Sequence, residues 1–286
     1  MKETIILGAD IGGSHITTAQ IDPVRQGLVE GTRFRVAVDA SSSAEEIIGA
    51  WASVLRRSLT PDIRQIGVAM PGPFDYVEGI SLMKDQGKYD RLYGVNIRER
   101  LSDALGTDPA GLVFTNDAES FLRGELFAGA AREASSALAL TLGTGLGTAR
   151  AFNGKAEDAA LWCMPLFDGI AEDFLSTRWF VRRYAELTGG TVMNVLELVG
   201  AGKTAVTERI FREFGRNLAS FLNRFMETEE PEIVVLGGNI SRSFEWFAPE
   251  LLKHLPSGVQ IVRSSLGEDA CLIGAASSCL NRVHIS

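Results

Sequence analysis

Two acidic residues lie where apolar strand-like segments end. Asp10 closes the run that starts at Ile5, and Asp117 follows Val113-Phe114 and precedes a helical pattern. Phosphoryl transfer to a hydroxyl group uses one acid near the metal ion and another near the attacking oxygen. Each acid alone also has a structural explanation, Asp10 as a turn former and Asp117 as a helix N-cap. The acids therefore need a phosphate-binding element beside them before they indicate catalysis.

Three glycine-rich turns supply such elements. They are Gly12-Gly13, Gly143-Thr144-Gly145-Leu146-Gly147 and Gly237-Gly238, and each follows an apolar strand-like run. Glycine lets the backbone approach an anion and direct several N–H groups towards it. A single glycine pair is more simply an ordinary hairpin turn. Three of them, two with serine or threonine alongside, indicate phosphate binding.

Two other nucleotide motifs are incomplete. Gly200-Ala201-Gly202-Lys203-Thr204 resembles the end of a P-loop, but Glu197 stands where that motif needs glycine, so a surface loop is the better interpretation. The segment from Gly143 begins like a dinucleotide fingerprint, but Thr148 replaces its last glycine. This segment also leads into a strand, whereas a dinucleotide-binding fold needs a helix there.

The pattern around these residues predicts an α/β protein. A hairpin over residues 5–22 recurs about 130 residues later over 137–152, which indicates a duplicated domain with two similar lobes and a cleft between them. Strands are also predicted over 66–70, 113–114 and 233–236. Helices are predicted from about Ser43, where Ser43 and Glu46 have capping-box spacing, and over 118–131, 207–226 and 268–280.

The composition and charge of the chain limit which partners and which compartment are expected. The 286 residues are 45% hydrophobic and 22% charged, the balance of a globular protein, without the long apolar run of a transmembrane helix. The formal charge of −8 argues against a nucleic-acid partner but not against ATP, whose charge is neutralised locally. Three cysteines without CxxC spacing suit a reducing compartment. We therefore expect a cytoplasmic protein without membrane or nucleic-acid partners.

Several segments together resemble the ROK family of sugar kinases, within the actin-like, sugar-kinase and Hsp70 superfamily, over nearly the whole chain. These segments are Asp10-Ile11-Gly12-Gly13-Ser14, Pro71-Gly72-Pro73, Asn116-Asp117-Ala118-Glu119, Leu142 to Gly147, Val235 to Ser241 and Leu266 to Ala276. The resemblance implies two ribonuclease-H-like, actin-like ATPase lobes around a central cleft. The lobes are expected at 1–115 with about 272–286, and at 116–271.

The resemblance also implies the parts of an ATP-dependent reaction on a hexose or N-acetylhexosamine. Asp117 would be the general base, and Asp10 would hold Mg²⁺ through water. ATP would bind at the residues Asp10, Gly12, Gly13, Ser14, His15, Gly143, Thr144, Gly145, Gly237, Gly238 and Asn239. The sugar would meet Gly72, Pro73, Asn116 and Asp117. A homodimer is expected because such kinases usually pair.

The sugar side departs from the family pattern. Ala160 and Cys163 stand where the family has the glutamate and histidine of a Glu-x-x-His motif, and the cysteine ligands of its zinc motif are missing although Glu172 is kept. We therefore expect no structural zinc. We expect Trp162, by stacking, and Glu172 to replace some sugar contacts, although Trp162 could equally be a core aromatic residue. Glu157 and Asp158 are alternatives that the sequence does not separate.

Two other functions were weighed against sugar phosphorylation. The family's repressors carry a helix-turn-helix domain before the first glycine turn, and with that turn starting at Asp10 and an acidic chain, repression is not expected. A catalytically weak or inactive sugar-binding sensor is the more serious alternative, because sugar-motif residues are missing. The sugar itself stays open among glucose, mannose, fructose, N-acetylglucosamine and N-acetylmannosamine.

Overall fold

Strands and helices alternate along the chain in the structure, a computed structural model that describes residues 4–85 and 87–280. The strands are β1 (Ile6–Ile11), β2 (His15–Asp22), β3 (Gly27–Leu28), β4 (Phe34–Ala37), β5 (Ile66–Met70), β6 (Phe74–Asp75), β7 (Ile80–Ser81), β8 (Leu112–Asn116), β9 (Ser136–Leu142), β10 (Leu146–Phe152), β11 (Lys155–Asp158), β12 (Pro165–Leu166), β13 (Gly169–Ile170), β14 (Ile233–Gly237) and β15 (Gln260–Arg263). The helices are α1 (Ala44–Ser58), α2 (Ile97–Leu105), α3 (Asp117–Ala128), α4 (Ala171–Leu175), α5 (Thr177–Thr188), α6 (Val195–Gly200), α7 (Ala205–Met226), α8 (Gly238–Ser241), α9 (Phe244–Lys253) and α10 (Asp269–Leu280). The fold class is α/β, as predicted.

The two main sheets repeat one arrangement. The first has the order β3-β2-β1-β5-β8, with β4 also paired to β2, and the second has the order β11-β10-β9-β14-β15. In each sheet an antiparallel hairpin, β1–β2 or β9–β10, continues into two parallel neighbours. The recurrence of the hairpin in the sequence therefore corresponds to a recurrence of sheet topology.

The chain divides into two units, Met1–Arg132 with Glu268–Ser286, and Glu133–Gly267. The boundary differs from the expected one, because the segment 116–132 belongs to the first unit. The physical reason is the packing of α3 against α10. A Cβ atom on Gly274 would overlap the carbonyl group of Ser120, so the two helix backbones touch where glycine allows it. The small residues of α10 thus serve close packing.

The core of the first unit lies between its sheet and α1. Trp51 and Leu55 of α1 are fully buried with Leu7 and Val68 of the sheet. The predicted capping box starts α1: the Ser43 hydroxyl accepts the Glu46 N–H at 3.3 Å, and the Glu46 carboxylate accepts the Ser43 N–H at 2.9 Å. The face of α1 that carries Trp51 and Leu55 therefore covers the sheet.

The core of the second unit centres on α7, which corresponds to the helix predicted over 207–226. The buried residues of that face are Ile210, Phe214, Leu218, Phe221, Leu222 and Phe225. They pack with strands β9 and β14 and with aromatic residues of α5 and α9. Within residues 4–85 and 87–280, no helix is both long and apolar enough to cross a membrane.

Candidate active site

The first glycine turn joins β1 to β2. Asp10 lies inside β1, opposite Thr17 of β2 and beside Ala69 of β5, so it is a strand residue and the turn-former explanation is wrong. The N–H of Gly12 donates to the carbonyl oxygen of His15 at 2.9 Å and closes the turn. Of the predicted phosphate-binding residues, Gly12, Gly13 and Ser14 therefore form one short loop next to Asp10, and His15 begins β2.

Asp10 is held in an unusual electrostatic environment. Burial, followed by the negative charge of Asp117, raises the pKa of Asp10 from 3.8 to about 7, against the opposing effects of Arg35 and Arg33. The two acids are therefore close enough to interact. A bound cation would favour the ionised form of this carboxyl group, so the oxygen atoms of Asp10 are suited to holding Mg²⁺.

The segment that contains the predicted general base begins α3, but the helix N-cap is Asn116 rather than Asp117. The side-chain oxygen of Asn116 accepts the N–H groups of Ala118 at 2.8 Å and Glu119 at 3.2 Å. Asp117 is the first helical residue, and its side chain is exposed. The N-cap explanation of Asp117 is therefore wrong. Its Oδ1 atom accepts the Ala118 N–H at 2.8 Å, and its side chain is solvent-exposed.

Tyr76, which the sequence analysis did not single out, contacts the predicted site residue Asn116. The amide nitrogen of Asn116 donates to the Tyr76 hydroxyl at 3.2 Å, and that hydroxyl donates to the Met70 carbonyl at 3.0 Å. Between Met70 and Tyr76 lies the predicted sugar-side turn Gly72-Pro73, whose peptide bond is cis. Since Tyr76 and Asn116 are 40 residues apart in the chain, no local pattern could indicate this contact.

The second glycine turn joins β9 to β10 and forms hydrogen bonds with residues of α4 and α5. The N–H of Gly143 donates to the Gly145 carbonyl at 3.1 Å, and the carbonyl of Gly143 accepts the N–H and hydroxyl of Thr177 at 2.8 and 3.0 Å. The N–H of Leu146 donates to a carboxylate oxygen of Glu172 at 3.0 Å. The turn, which includes Thr144, is therefore a fixed backbone loop of the second unit.

Glu172 has a role that sequence reasoning did not predict. Its Oε2 atom accepts the Leu146 N–H, and its Oε1 atom pairs with Arg178 at 2.5 Å. A Cβ atom on Gly145 would lie 2.7 Å from Oε2, so the glycine leaves room for this carboxylate. Trp162 lies in a 3₁₀ turn, Leu161–Cys163, and is 48% exposed, so it is not a core aromatic residue.

The third glycine turn follows β14. Gly238 has φ +78°, and a Cβ atom there would overlap the backbone of Leu142 at the end of β9. Only glycine therefore suits this position, because it adopts a positive φ without strain and has no Cβ atom to overlap the Leu142 backbone. Gly238 and Asn239 are exposed at the start of α8, while Gly237 is buried at the end of the strand.

The structure thus groups the predicted site residues in two sets. The first unit holds Asp10, Gly12, Gly13, Ser14, His15, Gly72, Pro73, Asn116 and Asp117, and the second holds Gly143, Thr144, Gly145, Trp162, Glu172, Gly237, Gly238 and Asn239. In the part of the chain that the structure describes, no group of three or more His, Cys, Asp or Glu residues is arranged to hold a metal ion.

Comparison with known proteins agrees with this arrangement. The repeated topology of the two main sheets is that of the actin-like fold. The model of the ROK family matches residues 6–161, more than half of the 286 residues, and the chain belongs to that family.

Individual relatives cover nearly the whole chain. The glucokinase of Thermotoga maritima is 25% identical over 99% of both chains, and a β-glucoside kinase of Listeria monocytogenes is 25% identical over 88% of both. The crystal structure of a ROK family glucokinase from Streptomyces griseus, in complex with glucose and AMPPNP, superposes with a TM-score of 0.79 at 22% identity, over 97% of this chain and 99% of that one.

Proposed function

We propose that this protein transfers the γ-phosphoryl group of ATP to a hydroxyl group of a hexose or N-acetylhexosamine, with Asp117 as general base. The protein is a sugar kinase that uses ATP and Mg²⁺. The observation that carries the assignment of the base is the exposed Asp117 carboxylate at the start of α3, next to the raised-pKa acid Asp10. One acid is thus available to a substrate hydroxyl, and the other is suited to a cation.

In the proposed reaction, Asp117 accepts the proton of the attacking hydroxyl, and the sugar oxygen forms the new bond to phosphorus. General-base catalysis contributes about 10²–10⁴-fold to such a step. The cap by Asn116 holds the first turn of α3, so the carboxylate of Asp117 starts from a defined position. Asp10 would hold Mg²⁺ through water; when bound, that ion neutralises phosphate charge.

The three glycine turns are proposed to bind the nucleotide. Gly12, Gly13, Ser14 and His15 would contact phosphate in the first unit, together with the turn Gly143-Thr144-Gly145 in the second. Gly237, Gly238 and Asn239 would lie against adenosine. Support comes from the fixed loop geometry at the first two turns and from the exposure of Gly238 and Asn239.

The sugar contacts form a separate part of the proposal. In the first unit they are Gly72, Pro73, Asn116 and Asp117, where the hydrogen bond from Asn116 to Tyr76 would orient the amide. In the second unit they are Trp162 and Glu172. The exposed face of Trp162 suits stacking on a sugar ring, and the carboxylate of Glu172 keeps acceptor capacity beyond its two present partners. No structural zinc is part of the proposal.

The remaining proposals concern assembly and location. We propose a cytoplasmic homodimer without nucleic-acid or membrane partners. Light scattering on the purified protein measures the dimer, and it should give about twice the monomer mass of 30.9 kDa.

A coupled ADP-release assay over a panel of sugars tests the function. Wild-type protein should phosphorylate at least one of glucose, mannose, fructose, N-acetylglucosamine and N-acetylmannosamine, and Asp117→Ala should lower kcat by about 10²–10⁴-fold. Because the Asp117 side chain is exposed, the circular dichroism of the variant should match that of the wild type. An Asp117→Ala variant with near-normal kcat would refute the base assignment. Sugar binding without turnover in the wild type would favour the sensor function instead.

A further inference from the structure

A short loop, residues 87–92, is hydrogen-bonded to the first glycine turn. Its Tyr89 is fully buried, donates from its hydroxyl to the carbonyl oxygen of Gly12 at 2.7 Å, and donates from its N–H to the carbonyl of Ala40 at 3.0 Å. The Tyr89 ring also packs edge-on against Trp51, with 5.2 Å between the ring centroids. The backbone of this loop is therefore held at a defined distance from the turn.

Lys88 precedes Tyr89 and lies on the turn itself. Its Cδ atom would be 3.3 Å from a Cβ atom built on Gly13, so the aliphatic part of the side chain packs against the glycine. Lys88 is half-buried. Because the ammonium group is only two bonds beyond Cδ, its positive charge lies close to the turn.

The two cations that act on the pKa of Asp10 are paired with a carboxylate. Arg33 and Arg35 pair with Glu268 at 3.3 and 3.0 Å. Lys88, by contrast, forms no ion pair with a carboxylate among residues 4–85 and 87–280. An unpaired ammonium beside a turn of backbone N–H groups suits a phosphoryl group, whose charge is spread over several oxygens.

We propose that Lys88 is a catalytic residue whose ammonium group binds the γ-phosphoryl group of ATP during transfer, an inference that rests on the proposed sugar kinase function. In this step the sugar oxygen–phosphorus bond forms while the bond from phosphorus to the bridging oxygen breaks. The electron pair of the broken bond leaves on ADP, and the hydroxyl proton passes to Asp117. Lys88 stabilises the charge on the transferred group, as a preorganised cation that needs no reorganisation during the reaction.

The test compares Lys88→Met and Lys88→Arg with the matched control Lys84→Met. Lys84 is an exposed lysine of the same region, and its ammonium lies 5.3 Å from the centroid of the Tyr93 ring. We expect Lys88→Met to lower kcat by about 10²-fold, the usual effect of removing one preorganised charge-stabilising group, while KM for the sugar changes little. Lys88→Arg should keep more activity than Lys88→Met, and Lys84→Met should match the wild type.

Calorimetric titration with ATP and with ADP, both with Mg²⁺, provides a measurement that does not depend on turnover. Because Lys88 is proposed to contact the γ-phosphoryl group, Lys88→Met should weaken binding of ATP more than binding of ADP, and Lys84→Met should leave the ratio of the two affinities unchanged. The Tm of Lys88→Met should equal that of Lys84→Met, which separates a charge effect from a folding defect.

The two proposals fail in different ways. A wild-type protein that phosphorylates no sugar contradicts the proposed function, and the ratio of ATP to ADP affinity then decides the role of Lys88. An active wild type with an unchanged kcat in Lys88→Met contradicts the role of Lys88 alone. An equal loss of ATP and ADP affinity in Lys88→Met would also overturn contact with the γ-phosphoryl group.

Discussion

Replacing Asp10 with asparagine should stabilise the metal-free protein at high pH while it abolishes turnover. Burial and the charge of Asp117 raise the pKa of Asp10 to about 7, whereas the group titrates near 3.8 without these effects. Between these values the folded protein binds a proton that the unfolded chain has released. The free energy of unfolding therefore falls as pH rises through this window, and the fall ends above pH 7.

The size of this effect follows from the width of the window. The contribution of one such group falls by about 1.4 kcal/mol per pH unit. From pH 5 to pH 8 the wild-type protein should lose about 3 kcal/mol through Asp10, because the slope vanishes once pH passes 7. Asparagine does not titrate, so Asp10→Asn should lose none of this stability.

Urea unfolding at pH 5, 6, 7 and 8, with EDTA present, measures the difference. The free energy of unfolding of Asp10→Asn minus that of the wild type should rise with pH, because the two proteins have all other titrating groups in common. Asp39→Asn is the flat control. Hydrogen bonds from the Ser41 side chain and backbone lower the pKa of the exposed Asp39, so this group is ionised in the folded and the unfolded state from pH 5 to pH 8, and the corresponding difference should not change with pH. A difference for Asp10→Asn that is flat from pH 5 to pH 8 would refute the reasoning.

Two further predictions concern the second unit. Glu172→Ala removes the acceptor for the Leu146 N–H, so we expect KM for ATP to rise about 10-fold, which is the effect of one lost charge-assisted hydrogen bond. The control Glu186→Ala should leave KM unchanged. An unchanged KM in Glu172→Ala would contradict the role of Glu172 in holding the loop. Gly238→Ala combines strain at φ +78° with overlap against the β9 backbone, so it should lower the free energy of unfolding by about 1–3 kcal/mol in chemical denaturation. Gly154→Ala, at φ +76° with open space around it, should cost less, and equal losses in the two variants would show that the overlap is relieved.

Local patterns predicted most of the secondary structure. The strand predicted over 66–70 and the helix start at Ser43 agree with β5 and the capping box of α1, because both depend on neighbours within one turn or one strand. The repeated hairpins agree with β1–β2 and β9–β10 for the same reason. The boundary at 115–116 did not agree, because α3 joins the first unit through α10, which is far away in the chain.

The sequence by itself determined the types of the elements, the glycine turns and the acids Asp10 and Asp117, since strand and helix periodicity and turn chemistry are properties of adjacent residues. Only the tertiary structure decided what surrounds them. The raised pKa of Asp10 needs burial and the approach of Asp117, and the position of Lys88 on the first turn needs the hydrogen bond from Tyr89 to Gly12. These effects depend on distances between residues remote in the chain, which a linear pattern does not contain.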